Sequence, residues 1–374
     1  MAGIPFRAEH VGSLLRPQAL REARRRFSQG QLDRNELRVV EDEEIRLAVA
    51  TQENLGFHAV TDGEFRRTWW HLDFLEGLLG VEKYEMTGGM AFAGTQTRAE
   101  GVRVTGPIAF DGHPMVAHVE FLAGVTTRVA KQCIPAPSAL FGRRGREAVS
   151  RDVYPSLDRF WSDLGDAYRK AVNAFVAAGC RYIQLDEVFL IMLCDERHRA
   201  GMAEQGLDAD ALARTYGDLI NMALADLPPH VTSAIHLCRG NFKSAHLGSG
   251  AYDRIVSVLF ERIRVNGYFM EYDTERAGGF EPLAHLPEGR RAVLGLISSK
   301  TGVLEDPAAI EQRIEQAMRF APLDRLAISP QCGFASTEEG NLVSPEEQWA
   351  KLNLVVQLAK GMWQDAVPGK PYDG

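Results

Sequence analysis

The chain has 374 residues, and its 42 Lys and Arg against 50 Asp and Glu give a formal net charge of −8. Its 45% hydrophobic and 25% charged residues are ordinary for a globular protein. Every apolar run is shorter than the roughly 18 residues that a membrane-spanning helix needs, and residues 1–17 lack the apolar core of a signal peptide. The acidic balance also argues against nucleic-acid binding, so we predict a cytoplasmic protein that binds neither a membrane nor a nucleic acid.

The sequence contains five cysteines, which is an odd number. In a reducing compartment they are not expected to form a disulfide framework. Each is therefore a small buried residue, a metal ligand or a catalytic residue. Its position relative to the predicted elements decides between these roles.

In the first half of the chain, short runs rich in apolar residues predict strands, and longer periodic runs predict helices. Strands are predicted at residues 7–13, 58–61 and 132–135. A helix is predicted at residues 37–55, where Gly56 ends it. Between about residues 80 and 130, several glycines and alternating segments such as residues 115–121 predict β-hairpins inserted between the second and third strands.

The second half of the chain continues the alternation. Helices are predicted at residues 157–180 and 252–264 and after the start signals Asp306-Pro307 and Ser344-Pro345. Glu347 completes a capping box with Ser344. Strands are predicted at residues 182–185, 231–237, 268–270, 292–297 and 326–329. Eight strands alternating with helices predict an α/β fold, a single (β/α)₈ TIM barrel over residues 1–374.

In such a barrel the functional site lies at the carboxyl ends of the strands. The residues at those predicted ends are rich in metal-ligating side chains; they are Glu64, Asp186, Glu187, His236, Cys238, Glu271, Asp273 and Cys332. His236 and Cys238 are two apart on an extended segment, so their side chains point to the same side. With Glu271 and Cys332 they supply one imidazole, two thiolates and one carboxylate, which match a four-coordinate zinc site.

The sequence resembles the catalytic domain of cobalamin-independent methionine synthase, and more closely the short single-barrel relatives of that family, which include epoxyalkane:coenzyme M transferases. The resemblance covers most of the chain. It rests on an ordered set of motifs: His10-Val11-Gly12-Ser13, Asp62-Gly63-Glu64, Gln184-Leu185-Asp186-Glu187, residues 236–241, Glu271 and Ser329-Pro330-Gln331-Cys332-Gly333.

The resemblance implies a role for each matching residue. The zinc ligands would be His236, Cys238, Glu271 and Cys332. An amino-acid thiol such as homocysteine would bind its carboxylate at Val11, Gly12 and Ser13 and its ammonium group at Glu64 and Asp186. Zinc would deprotonate the substrate thiol, which would displace Glu271 and attack an alkyl or methyl donor. No cobalamin is implied.

Two departures from the family pattern leave the donor open. Where methionine synthases have a histidine that is the proposed acid, this chain has Ser298, and serine has no useful pKa for that role. Residues 134–141 also differ from the family's folate-stacking region. The expected function is therefore zinc-dependent S-methylation of a thiol, with two alternatives.

The first alternative is epoxide opening by coenzyme M, in which Lys300, Arg239 or Arg16 would bind the sulfonate. The second is a metal-free lyase like uroporphyrinogen decarboxylase, which would have no use for the zinc ligands.

Some of these residues also have a purely structural interpretation. For Asp186 and Glu187 it is ion pairing with nearby arginines. Trp69, Trp70 and His71 are expected mainly to pack, and Cys133, Cys180 and Cys194 are expected to be small buried residues. The sequence leaves the oligomeric state open.

Overall fold

A parallel sheet of seven strands organises the chain in a computed structural model that describes residues 5–89, 91–92, 95–245, 248 and 250–366. Neighbours along the sheet are also neighbours along the chain, and each pairs in parallel. The strands are β1 (Ala59–Val60), β2 (Val129–Pro135), β3 (Tyr182–Glu187), β4 (Thr232–Leu237), β5 (Gly267–Glu271), β6 (Arg291–Ile297) and β7 (Leu326–Pro330). Their residues are buried throughout, as expected for a sheet covered on both faces.

The amino-terminal segment contacts both edge strands of this sheet. Ala8 forms a parallel bridge with Ile328 of β7. Beyond β1, the Thr61 hydroxyl donates to the carbonyl of Gly12 at 2.7 Å. One buried apolar cluster also joins this segment to all seven strands; it consists of Val11, Ala59, Val129, Tyr182, Ala234, Phe269, Val293 and Ala327. The sheet is therefore curled, and the eight-stranded barrel stays a prediction because residues 7–13 form only a bridge.

The first long helix begins three residues earlier than predicted, at a capping box, and ends at the predicted glycine. Asp33 and Glu36 form a capping box at Arg34–Leu55, which ends at Gly56 with φ 107°. Ser344 and Glu347 form the predicted capping box. The α-helices are Gln18–Ser28, Arg34–Leu55, Leu72–Leu75, Pro114–Val125, Ala139–Gly142, Leu157–Ala177, Phe189–Met192, Glu196–Glu204, Ala209–Ala223, Pro307–Ala317 and Pro345–Met362. Within the described ranges, none is long and apolar enough to cross a membrane.

Two antiparallel pairs lie between β1 and β2 in the chain. Leu79–Glu85 pairs with Glu100–Ala109, and the short strand Ala91–Phe92 pairs with Thr95–Gln96. Both pairs fall inside the segment for which hairpins are predicted. They form β structure outside the parallel sheet, in the part of the sequence that follows Glu64.

The prediction of a hairpin at residues 115–121 was wrong, because this segment belongs to the helix Pro114–Val125. The ring of His113 accepts a hydrogen bond from the Met115 amide at 3.0 Å, and a proline occupies the first helical turn. Met115, Val119 and Leu122 are buried at helical spacing. These start signals and this buried face outweigh the local alternation of apolar and polar residues.

The prediction of a continuous α-helix at residues 252–264 was also wrong. Tyr252–Ile255 is a 3₁₀ turn, and Ser257–Arg262 is a π-helix. The Ile263 amide donates to the carbonyl of Val258 at 3.0 Å, five residues earlier. The apolar spacing was recognised, but it does not distinguish helices of different pitch.

Candidate metal and substrate site

Four side chains converge at the carboxyl-terminal edge of the sheet. His236 lies on β4 with Cys238 just beyond it, Glu271 ends β5, and Cys332 follows β7. One ligand atom of each lies within 4.8 Å of the others, and all four residues are buried. The strand ends thus bring together the four residues that the sequence marks as metal ligands.

The two thiols of this group are in direct contact. Cys238 Sγ and Cys332 Sγ are 3.4 Å apart, and the Gly240 amide donates to Cys238 Sγ at 3.3 Å. Two sulfurs on one tetrahedral zinc, each at about 2.3 Å, would be roughly 3.8 Å apart. The hydrogen bond with Cys332, followed by burial, raises the pKa of Cys238 well above its ordinary value. Two thiolates therefore need a cation between them, and this donor set fits zinc.

Glu271 has protein partners for both oxygens. Its Oε1 accepts from the Arg239 amide at 2.8 Å, and its Oε2 accepts from Arg276 at 3.3 Å. Arg276 also donates to Asp273 at 3.2 Å. The side chain of Glu271 is completely buried. These contacts would keep the carboxylate stabilised whether or not it also binds a metal.

Both nitrogens of the His236 ring face acceptors. Nε2 lies 3.1 Å from the carbonyl of Gln331, and Nδ1 lies 3.6 Å from Asp186 Oδ1. Gln184 holds Asp186 through a 2.7 Å hydrogen bond. Burial lowers the pKa of His236, but Asp186, Cys238 and Glu271 outweigh it and raise the pKa to about 9. This acidic surrounding favours a positive charge at the position, either a proton or a metal ion.

A cavity opens beside this cluster. It is lined by Val11, Ser13, Glu64, Trp69, Trp70, His71, Thr97, Asp186, Val188, Phe189, His236, Cys238, Gly240, Asn241, Phe242, Cys332, Gly333, Ser336 and Thr337. The predicted substrate residues Val11, Ser13, Glu64 and Asp186 are thus in one cavity with three of the predicted ligands. Gly12 lies between two of the lining residues but is not itself part of the lining.

Glu64 is held in a left-handed conformation with φ 60°. Its amide donates to Asp62 at 2.8 Å, and Arg67 lies 3.3 Å from its Oε1. Its Oε2 is buried and has no hydrogen-bond partner among the described residues. Burial, opposed by Arg67, raises the pKa of Glu64 to about 7. A cationic ligand group would supply the missing partner and favour the ionised carboxylate.

The structure does not pair Asp186 or Glu187 with arginines in its described part. Asp186 contacts Gln184 and His236. Glu187 accepts from the Ser138 hydroxyl at 2.7 Å and from the Leu190 amide at 2.8 Å. The interpretation that these two acids form ion pairs with arginines is therefore wrong. Glu187 is fully buried and is not part of the cavity lining.

The three cations considered for a sulfonate do not line the cavity. Arg16 donates to backbone carbonyls, among them those of Ala335 at 2.6 Å and Glu64 at 2.8 Å. The Arg239 guanidinium stacks 4.5 Å from the Tyr252 ring, and Lys300 donates to the Gln331 side chain at 2.9 Å. The residues that were expected to favour coenzyme M are engaged elsewhere.

Aromatic residues form a larger part of the cavity than the sequence suggested. Trp69, Trp70 and His71, expected mainly to pack, all line it, and Phe189 and Phe242 were not identified beforehand. The position of the Trp-Trp-His run shortly after Glu64 was the available signal. Cys133, Cys180 and Cys194 are buried free cysteines outside the ligand cluster, as expected.

Sequence comparison identifies relatives over most of the chain. A family model described as cobalamin-independent synthase, catalytic domain, matches residues 6–360. The uncharacterized Bacillus subtilis proteins YxjH and YxjG are 42% and 43% identical, each over 96% of this chain and 95% of the relative. A 5-methyltetrahydropteroyltriglutamate–homocysteine methyltransferase of Bacillus licheniformis is 23% identical over 94% of this chain, which spans 42% of that protein.

Two solved structures are similar to this chain over nearly its whole length. A Listeria monocytogenes protein, described as a candidate vitamin-B12 independent methionine synthase, is 39% identical with a TM-score of 0.76, covering 96% of this chain and 98% of that one. A B12-independent methionine synthase of Shewanella sp. W3-18-1, solved in complex with selenomethionine, has a TM-score of 0.72 at 20% identity and covers 96% and 97% of the two chains. At that identity the second likeness concerns the fold alone.

Proposed function

Because the chain belongs to the family of cobalamin-independent synthase catalytic domains, we propose that it is a zinc-dependent S-methyltransferase acting on homocysteine or a similar amino-acid thiol. The convergence of His236, Cys238, Glu271 and Cys332 beside an acidic cavity is the observation that carries this proposal. Zinc held by these residues would lower the pKa of a substrate thiol, so that its sulfur is a thiolate at neutral pH.

The protein's own residues would bind and orient the amino acid. Glu64 and Asp186 would accept hydrogen bonds from the ammonium group, and Glu64 Oε2 is the acceptor that lacks a partner among the described residues. Val11, Gly12 and Ser13 would lie along the carboxylate. Gly12 has φ 140°, so the backbone turns there in a way that few other residues tolerate. The thiol would then point towards the metal ligands.

Glu271 would be the ligand that yields to the substrate. Its alternative partners, the Arg239 amide and Arg276, are already in place. A carboxylate released from a metal there would remain hydrogen-bonded and paired with a cation. Buried charges are costly when they are left without such partners.

The proposed domain is a closed (β/α)₈ barrel with the antiparallel pairs as an insertion. The bridge of residue 8 with β7, the hydrogen bond of residue 12 with Thr61 just after β1, and the apolar cluster shared by this segment and all seven strands support closure. In such a barrel the substrate site lies at the carboxyl ends of the strands, where these ligands are found.

The test separates thiol activation from the choice of donor. Zinc content is measured by mass spectrometry, and methyl iodide is supplied with homocysteine, coenzyme M or cysteine. We expect about one zinc per chain and zinc-dependent methylation of homocysteine, followed as methionine by mass. A protein without zinc, or one that alkylates coenzyme M far better than homocysteine, would contradict the proposal. The second result would favour the epoxide-opening alternative.

A further inference from the structure

The cavity beside the metal ligands has a wall of aromatic rings. Trp69 stacks on Phe242 with ring centroids 6.4 Å apart, and Trp70 lies 4.5 Å from the ring of His71. The indole Nε1 of Trp69 is buried without a hydrogen-bond partner among the described residues. Aromatic faces attract cations, most strongly when the cation is poorly hydrated, as methylated onium groups are.

The charged residues of the same cavity are acidic. Among its described lining residues, none is a lysine or an arginine, whereas Glu64 and Asp186 are both present. A divalent zinc with two thiolates and one carboxylate would add a net negative charge. Arg67, the cation nearest to Glu64, lies 3.3 Å from that carboxylate and outside the lining. The cavity therefore attracts a cationic donor and repels an anionic one.

Apart from the proposed metal ligands, the described residues of the lining offer no good acid for a leaving group. Burial lowers the pKa of His71 to about 3, so its ring is neutral at physiological pH. Ser298 is not part of the lining. The pKa of Glu64, about 7, leaves it partly protonated near neutral pH. The substrate ammonium group would favour its ionised form. A departing amine needs a proton, whereas a sulfide that leaves a sulfonium departs neutral without one.

We propose that the methyl donor is a methylsulfonium compound whose positive sulfur lies against Trp69 and Trp70. This inference rests on the proposed function. The thiolate sulfur of the acceptor attacks the methyl carbon, and a new carbon–sulfur bond forms as the old one breaks. Both electrons of the broken bond go to the leaving sulfur, so the donor becomes a neutral thioether. The acceptor's proton has already been lost to solvent, and no other reactant is required.

Binding provides a readout that does not depend on turnover. Trimethylsulfonium is titrated into the purified protein by calorimetry, with dimethyl sulfide as the neutral control. Trp69→Leu should weaken trimethylsulfonium binding about tenfold. Trp161→Leu is the matched control, because Trp161 packs against Phe141 and Phe160 and is not part of the cavity lining. Equal binding of the sulfonium by the two variants, or no preference over dimethyl sulfide, would overturn the proposal.

Turnover then identifies the source of the sulfonium. S-Methylmethionine and S-adenosylmethionine, each carrying a ¹³C-methyl group, are compared with methyl-tetrahydrofolate as donors to homocysteine. We expect labelled methionine from at least one sulfonium at a rate at least tenfold above that from the folate. Faster transfer from the folate would overturn the donor class. If methyl iodide still methylates homocysteine in that case, the proposed function survives, and if it does not, both proposals fail.

Discussion

Cys238 Sγ and Cys332 Sγ lie 3.4 Å apart although the two residues follow different strands of the sheet. Both are free cysteines, and both are buried. Two buried thiolates at this distance repel each other, so the arrangement is stable only with protons or with a shared cation. The parallel register of β4, β5, β6 and β7 brings the two cysteines together directly after their strands, so the position of the candidate metal site follows from the sheet.

Removal of one of these thiols should abolish metal binding. For Cys332→Ser we expect loss of zinc from the purified protein and a fall in methyl transfer of at least about 100-fold, because a soft anionic ligand is replaced by a neutral hydroxyl. Zinc content and product mass are the measurements. Cys194→Ser is the matched control, since Cys194 is buried but outside the ligand cluster. Equal zinc content in both variants would contradict the assignment.

Glu64 should make both substrate binding and stability depend on pH. Burial raises its pKa to about 7, while Arg67 and Arg16 lower it and Asp186 and Asp62 raise it. Its pKa in the folded protein therefore exceeds its value when unfolded. The protonated form of Glu64 therefore favours the folded state. As pH rises from about 4.5 to about 7 this contribution to the free energy of unfolding is lost, and the protein is less stable above that range.

Glu64→Gln tests that sign. The variant should not show this decline. The difference in unfolding free energy, variant minus parent, should therefore increase by roughly 1–3 kcal/mol between pH 5 and pH 8. It should also raise the KM for homocysteine about tenfold or more while zinc content stays unchanged. Urea unfolding at the two pH values and steady-state kinetics check these outcomes. A parallel shift of stability at both pH values would show that Glu64 does not titrate in this range.

The site was easier to predict than the loops around it. His236, Cys238, Glu271 and Cys332 could be identified because strand ends of a parallel sheet meet at one edge, so their positions follow from topology. Phe189 and Phe242 could not, because their place in the cavity depends on how connecting segments fold back. Residues 115–121 were predicted wrongly because alternation is a local signal, whereas the helix there is decided by His113 and by burial against the core.

Gly12 should be intolerant of any side chain. A Cβ at this position would lie 2.6 Å from Cys133 Sγ, and its φ of 140° is itself unfavourable for other residues. We expect Gly12→Ala to destabilise the protein by about 2–4 kcal/mol. Gly30→Ala is the control, because Gly30 has φ 70° with nothing within 4 Å of the added Cβ, so it measures backbone strain alone. Thermal unfolding that shows equal losses would indicate that the packing around Cys133 accommodates the added methyl group.

A buried ion pair lies near the amino-terminal end of β3, where Lys131 of β2 pairs with Tyr182. Lys131 Nζ lies 3.3 Å from Glu9 Oε2 and donates to the carbonyl of His10 at 2.7 Å. It also lies 4.6 Å and 4.4 Å from the ring centroids of Tyr182 and Phe269. Both charged side chains are almost completely buried. The pair joins the amino-terminal segment to β2, so it bears on whether the barrel is closed.

Lys131→Met should therefore destabilise the protein by about 3–5 kcal/mol, because it leaves Glu9 buried without its cation. The double variant Glu9→Gln with Lys131→Met should recover most of that loss, since no uncompensated charge remains. Denaturant unfolding of the parent, both single variants and the double variant measures the coupling. If the single and double variants lose the same stability, residues 7–13 are not held against β2 through this pair, and closure of the barrel must depend on its other contacts.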